Sequence, residues 1–322
     1  MGDAAGIGPE IIVKALADVE LRTSNRFVVI GDEAHLRRTA AQLGIEWKCR
    51  AFDPADAFDP AEIDVHDLGN LPESTPIGVN DAVTGKASAQ YIEKGVDLWR
   101  EGRIDAVCTA PISKKALSLG GYDFPGHTEF LAKLTGTDRF AMSFFAEKLR
   151  VVLLSTHLPL LDAIALIRQD ALIDLIMFSE REMCRLLGPK VSIAVAGLNP
   201  HASEGGMFGS EERREIEPAI AACREKGLDV SGPYSPDTVF VRGYQGEFDV
   251  CIALYHDQAT IPVKAISFGA GVNVTLGLPM VRTSVDHGTA YDIAGKGVAD
   301  EGSLKAAMRL AGELTLSSRR NI

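Results

Sequence analysis

No apolar run in the 322-residue chain approaches the ~18–20 residues needed to cross a bilayer, so a membrane protein is not expected. Positive charge is not in surplus either: 33 Lys plus Arg stand against 44 Asp plus Glu, a net charge of −11. A chain with no basic block is a poor nucleic-acid binder, because affinity there comes largely from cations replacing phosphate counterions. Anionic metabolites stay open, since one local group of cations can hold a phosphate against the global sign. The five cysteines (Cys49, Cys108, Cys184, Cys223, Cys251) are scattered, odd in number and contain no CxxC pair. Cys108 and Cys251 sit inside apolar runs, where cysteine packs as a small hydrophobe. There is no internal repeat, no low-complexity tract, and no signal peptide before the first motif. Hydrophobic residues at 46% and charged residues at 24% exclude a disordered or fibrous chain. The expectation is a reduced, cytoplasmic, globular protein with length enough for two domains.

Short apolar runs of strand character alternate with longer stretches of helical period. Strands are expected at Arg26–Ile30, Asp105–Thr109, Arg150–Ser155, Val191–Ala196, Asp249–Tyr255 and Gly271–Thr275. Their Val, Ile and Leu content with little polar alternation suits strands covered on both faces. Helices are expected at Pro9–Val19, Glu33–Leu43, Lys86–Glu101, Ala171–Leu187, Glu211–Lys226 and Ser303–Leu314. That order predicts a largely parallel α/β architecture. Arg50–Pro76, rich in Asp, Pro and Ala, reads as loops around weak elements.

The chain opens on a glycine-rich turn, Gly2-Asp3-Ala4-Ala5-Gly6-Ile7-Gly8-Pro9-Glu10, leading into a helix with proline in its first turn. A strand normally precedes such a turn, and here only Met1 does, so either that strand is absent or the natural start lies upstream. The turn could be a phosphate or cofactor loop, using free N–H groups at the helix start, or simply a tight strand-to-helix connection. Its spacing matches neither the dinucleotide fingerprint nor a P-loop.

Seven histidines are present, and three share a topological position. His157, His201 and His256 each stand just beyond an apolar, parallel-type strand, at the edge where open α/β sheets bind ligands. One such histidine would be incidental; three neutral imidazoles with an open fourth position suit a divalent metal such as zinc. Asn199, Asp257 and Gln258 are placed to fix the imidazole tautomers. His127, in Gly126-His127-Thr128-Glu129, stands at the mouth of a helix that Thr128 could cap. Asp286-His287-Gly288-Thr289-Ala290 leads into Asp292-Ile293-Ala294-Gly295-Lys296-Gly297, too rich in glycine for a helix interior and read as a loop moulded around something. His35 and His66 have ordinary surface-like contexts. Lys264, Asn273 and Arg282 lie in a segment with few charges, where a cation is either ligand-facing, because an unpaired buried charge is costly, or a snorkelling side chain. With His127 and Thr128 they could clamp a phosphate and a carboxylate.

These segments, with Thr109-Ala110-Pro111, Thr156-His157-Leu158-Pro159-Leu160, Asn199-Pro200-His201-Ala202, Pro236-Asp237-Thr238, Tyr255-His256-Asp257-Gln258 and Arg282-Thr283-Ser284-Val285-Asp286, resemble the 4-hydroxythreonine-4-phosphate dehydrogenase family of vitamin B6 biosynthesis. They run in order over nearly the whole chain, with Ala4 where the family usually has proline. The resemblance implies an α/β fold like that of isocitrate and isopropylmalate dehydrogenases, not a Rossmann fold. It implies two domains around a cleft: residues 1–128 plus 265–322, and 129–264 carrying most metal ligands and the interface of an obligate homodimer. His157, His201 and His256 would bind zinc, or magnesium, manganese or cobalt, with one of them supplied across the dimer. His127, Thr128, Lys264, Asn273 and Arg282 match substrate-binding positions, and Asp237 and Asp257 would touch substrate or orient the metal ligands. Asp286, His287, Gly288 and Asp292 fall in a segment similar to the adenosine-side NAD loop, so NAD, or NADP, is the implied cofactor. The implied reaction is oxidation and decarboxylation of 4-phosphohydroxy-L-threonine. Relatives acting on D-threonate or D-erythronate 4-phosphate are the alternative. The intact Gly126-His127-Thr128-Glu129 segment argues against the branch that oxidises aromatic cis-dihydrodiols. A non-catalytic sensor on the same scaffold is the rival of another class.

Overall fold

Runs of branched apolar residues become strands wherever both faces can be covered, and the strands are three to six residues each. The structure is a computed structural model and describes residues 1–267 and 269–320. Its strands are β1 (Val28–Gly31), β2 (Cys49–Ala51), β3 (Ile63–Asp67), β4 (Ala106–Thr109), β5 (Ala141–Ala146), β6 (Leu149–Leu153), β7 (Ile193–Ala196), β8 (Val230–Tyr234), β9 (Val250–Ala253), β10 (Val272–Leu276) and β11 (Val281–Ser284). The chain forms two units, one of Met1–Arg139 with Leu278–Gly312, the other of Phe140–Gly277 with the stretch from Glu313.

In the first unit β1, β3 and β2 form a parallel sheet in that order, and β11 runs parallel to β4 with Arg282 opposite Val107 and Ser284 opposite Thr109. Ile11, Leu16, Leu36 and Val65 fill one core, and Ile92, Leu117, Phe130, Leu131 and Met280 another. Helix Ala82–Arg100 begins four residues before the expected Lys86, because Asp81 accepts from the N–H groups of Val83 at 2.9 Å and Thr84 at 3.1 Å, an N-cap that the charge pattern obscured. Gly85 in that helix is required by packing: a Cβ there would lie 1.8 Å from the Ala116 carbonyl oxygen. His35 is a correction. It is buried, not surface-like, in the first turn of helix Glu33–Leu43, where Asp32 caps its N–H at 2.8 Å. Arg50–Pro76 holds β3 and most of β2, held by Asp64, which accepts from Arg26 at 2.6 Å and Arg50 at 2.7 Å.

The second unit orders its strands β10-β5-β6-β9-β7-β8. β6, β9, β7 and β8 are mutually parallel, as expected, whereas β5 runs antiparallel to both β10 and β6. A tight β5–β6 turn through Glu147, in the left-handed region at φ 52, produces that reversal. Val151, Leu153, Ala194, Ala196, Cys251 and Ala253 are all buried. The parallel run places the C-terminal ends of β6, β9 and β7 side by side on one edge. None of the described helices is long and apolar enough to cross a membrane.

Candidate active site

That edge carries the three histidines, and the structure joins two of them. The His157 and His256 rings lie 5.6 Å apart between centroids, tilted by 42°. His256 opens helix His256–Ser267 directly after β9. Its Nδ1 is 2.7 Å from Asp257 Oδ1, which orients the ring and leaves Nε2 available. The donor chemistry suits a divalent metal: two outward imidazoles at the strand ends, one already fixed by a carboxylate. His201 stands apart, facing Phe208 at 6.4 Å. Among the described residues no group of three His, Cys, Asp or Glu side chains is gathered to hold a metal ion.

His201 begins a left-handed turn, with φ of 53, 51, 68 and 46 at residues 201 to 204, a conformation costing L-residues about 1–2 kcal/mol each. Glu212 holds the turn's root. Its carboxylate, wholly buried, accepts from Leu198 N at 2.8 Å, Asn199 N at 2.7 Å and Asn199 Nδ2 at 2.8 Å. Here the expected helix from Glu211 starts instead as a wide π-type turn, Glu212–Ile216, before the α-helix Glu217–Glu225. Asn199 is therefore committed to Glu211 and Glu212, not to an imidazole. Gln258 likewise ties Leu254 N, at 2.7 Å, to the Gly197 carbonyl, at 2.8 Å. Of the three residues expected to fix tautomers, Asp257 is the one hydrogen-bonded to a histidine; the other two brace the strand ends.

Asp237 is exposed, and a hydrogen bond from Ser235, with nearby His201, holds its carboxyl below the usual range. Thr260, 3.5 Å from His256 Nδ1, and Lys264 follow His256 at four-residue steps along one side of the helix. Lys264 is exposed. Asn273, in β10, has a buried amide oxygen with no hydrogen-bond partner among the described residues, as a ligand-facing polar group would.

In the first unit two of the residues expected to bind an anion, Arg282 and His127, stand at element ends. Arg282 in β11 is 3% exposed and donates through Nη2 to Thr109 Oγ1 at 2.8 Å, across the β4–β11 pair. Burial lowers its guanidinium to about 10, opposed by Cys108 and Glu129, so it stays a cation at neutral pH. His127 opens helix His127–Thr135, whose start has no side-chain cap; Thr128 lies inside the first turn and does not cap it. Burial, then the charge of Arg282, holds the His127 imidazole well below its ordinary value. A buried cation, a neutral imidazole and an uncapped helix start together favour an anion with several oxygens. Thr109 stands in the Thr109-Ala110-Pro111 motif but was given no role from the sequence; its bond to Arg282 supplies one.

The segment from Asp286 to Ala299 is irregular, as expected. Asp286 meets Ser303 at 3.4 Å, and His287 Nδ1 lies 3.1 Å from the Gly288 carbonyl, while His287 Nε2 is buried with no hydrogen-bond partner among the described residues. Gly288 and Asp292 are exposed. An orphaned ring nitrogen beside open glycine backbone fits a nucleotide's hydroxyl or phosphate oxygens. In the N-terminal turn, by contrast, N–H groups are already engaged by the chain itself. The N–H groups of Ala5, Gly6 and Ile7 go to Asp3 Oδ1, Asp3 O and Thr289 O, at 2.9, 3.0 and 3.0 Å, so those three are not left for an anion.

The sequence profile of the family described as pyridoxal phosphate biosynthetic protein PdxA matches residues 23–311. The D-threonate 4-phosphate dehydrogenase of Cupriavidus necator is 50% identical, covering 98% of this chain and 95% of that one. The 4-hydroxythreonine-4-phosphate dehydrogenase of Desulforapulum autotrophicum is 46% identical, covering 97% and 93%. A crystal structure of the 4-hydroxythreonine-4-phosphate dehydrogenase from Klebsiella pneumoniae superposes with a TM-score of 0.90 at 42% identity, covering 98% of each chain. With that architecture, and with matches spanning nearly its whole length, the chain belongs to the PdxA family.

Proposed function

We propose that the chain is a nicotinamide-dependent, metal-dependent dehydrogenase. It oxidises 4-phosphohydroxy-L-threonine at C3 and releases CO₂, leaving 3-amino-2-oxopropyl phosphate. The observation that carries this reading is the buried Arg282–Thr109 pair beside neutral His127, a site for the phosphate, in a chain whose relatives' names specify 4-phosphorylated hydroxy acids. The 50% identity to a D-threonate 4-phosphate dehydrogenase favours a second reading, the same chemistry on D-threonate 4-phosphate.

His157 and His256 would hold the metal, zinc first, with His201 of a second copy completing the set in a homodimer. The exposed side chains of Leu158, Leu160 and Leu161, which follow His157 directly, support such a contact. A metal so held would supply Lewis acidity, lowering the pKa of the C3 hydroxyl and later polarising the carbonyl formed from it. Asp257 fixes the His256 ring, and Asp237 faces His201. Lys264, or a water held by Asp257, takes the hydroxyl proton. Arg282, His127 and Thr128 bind the phosphate, and Asn273 turns its free amide oxygen to the substrate's amino or hydroxyl group. Asp286, His287, Gly288 and Asp292 would hold NAD, or NADP, whose chemistry there would be to accept the C3 hydride. These soluble substrates suit a cytoplasmic enzyme.

NADH formation with the two substrates side by side, with and without added divalent metal, tests the assignment. Metal-dependent preference for the threonine derivative is expected. Preference for the threonate moves the protein to the second reading, and silence with both defeats each. Asp257→Asn should weaken metal binding by about 10–100-fold, measured by zinc competition, through loss of the ring-orienting carboxylate. Unchanged zinc affinity would remove Asp257 from that role.

A further inference from the structure

The loop from Asp286 to Ala299 has three glycines and no regular structure, yet its backbone is gripped from beneath by the first residues of the chain. Glu10, 3% exposed, accepts from Ala299 N at 2.7 Å through Oε1 and from Gly297 N at 3.2 Å through Oε2. One helical turn on, Lys14 bonds Glu10 at 2.9 Å and donates to the carbonyls of Gly297 at 3.0 Å and Ala299 at 2.6 Å. Amide and carbonyl groups of one short stretch are thus matched by an acid and a base from a single helix face. The loop's other half is held at Asp3, fully buried, which accepts from the Tyr291 hydroxyl at 2.6 Å. Between the two clasps Ile7 N bonds the Thr289 carbonyl at 3.0 Å. There Gly6 lies so close that a Cβ would stand 2.8 Å from the same oxygen.

We infer that the Gly2–Glu10 turn is a template that presets the 286–299 loop, with Asp3, Glu10, Lys14 and Tyr291 as positioning residues for the nicotinamide nucleotide. The inference rests on the reading that this loop takes the cofactor. An unclasped loop of this composition would sample many conformations, and ordering it costs conformational entropy at every residue. Two clasps transfer that cost from binding to folding, so the free loop already has its bound shape. The glycine-rich turn thus acts one layer behind the nucleotide rather than as a phosphate loop.

The test uses the full chain and three variants, Tyr291→Phe, Glu10→Gln and His287→Ala, in NADH fluorescence titrations without substrate. Tyr291→Phe and Glu10→Gln should each raise the Kd for NADH about fivefold, the value of one net hydrogen bond. Both should speed amide exchange over residues 286–299 while leaving the KM for the phosphorylated acid unchanged. His287→Ala reports the cofactor reading itself. If it weakens NADH binding while the two clasp variants do not, the template is overturned and the cofactor site stands. The template is equally overturned if the clasp variants lower Tm alone. If wild type does not bind NADH, or His287→Ala binds it as wild type does, the cofactor reading falls and the template with it.

Discussion

Replacing His256 by alanine is expected to lower kcat by about a thousandfold or more while the protein remains folded and its oligomeric state is unchanged. The size follows from the several kcal/mol a Lewis acid supplies to an alkoxide-forming step, each 1.36 kcal/mol being about tenfold in rate. The folded state should tolerate the change because His256 is half-exposed, at the first position of its helix; its side chain bonds Asp257 and approaches Thr260 without filling a core. Tm should therefore move little, as for most surface substitutions. His157→Ala should behave alike, since its exposed ring pairs with His256 at 5.6 Å. His201→Ala should also abolish turnover, and mixing it with inactive His157→Ala protein should restore part of the activity if one histidine crosses the dimer. Near-normal turnover in any single variant defeats the metal assignment; silence of every mixture, with dimer exchange verified, defeats the crossing.

The edge that carries these histidines was legible because three apolar runs each end in histidine, a pattern that needs no knowledge of neighbours. The strands β6, β7 and β9 are where that pattern places them, within a residue or two. What could not be read is pairing. β5 holds Ser143 and two phenylalanines in a run that alternates poorly, and only its antiparallel neighbours β6 and β10 make it a strand. Ser143 is tolerated there because its hydroxyl donates to the Val274 carbonyl at 2.7 Å. β2 and β3 escaped for a similar reason: their charges are consumed by one another, Asp64 taking both Arg26 and Arg50.

Site residues divide the same way. Side chains that chemistry alone marks out (His127, Arg282, His256) sit at strand or helix ends with perturbed or directed polar groups. Residues that brace these side chains, or the loop from Asp286 to Ala299, received no role or the wrong one, because their partners are far away in sequence. Thr109 meets Arg282 across 173 positions, and Glu10 meets Ala299 across 289. Asn199 and Gln258 show the converse error: polar residues beside candidate ligands whose hydrogen bonds the backbone has already claimed. A buried backbone N–H needs an acceptor before any ligand does, and adjacency in sequence does not reveal which demand wins.

Arg282→Ala should raise the KM for the phosphorylated substrate about a hundredfold with a smaller change in kcat, since charge-assisted hydrogen bonds are worth about 1.5–3 kcal/mol each and hold the phosphate equally in ground and transition states. Arg282→Lys should fall between the two, keeping the charge but losing the fork that also reaches Thr109. The same variants test the electrostatics. In the free protein His127 is held well below its ordinary value of 6.5 by burial and then by Arg282. It is therefore neutral at pH 7. A docked phosphate dianion favours the charged ring, so its pKa rises on binding and the complex takes up protons. Affinity gained from that charge is present below the bound-state pKa and lost as pH rises through it. Imidazole proton resonances of His127 should show a free-enzyme midpoint well under 6.5 that climbs when inorganic phosphate is added. Arg282→Ala should raise the free midpoint and shrink the phosphate-induced climb. A free midpoint at the ordinary value, or a fall in kcat with KM untouched, would separate Arg282 and His127 from phosphate binding.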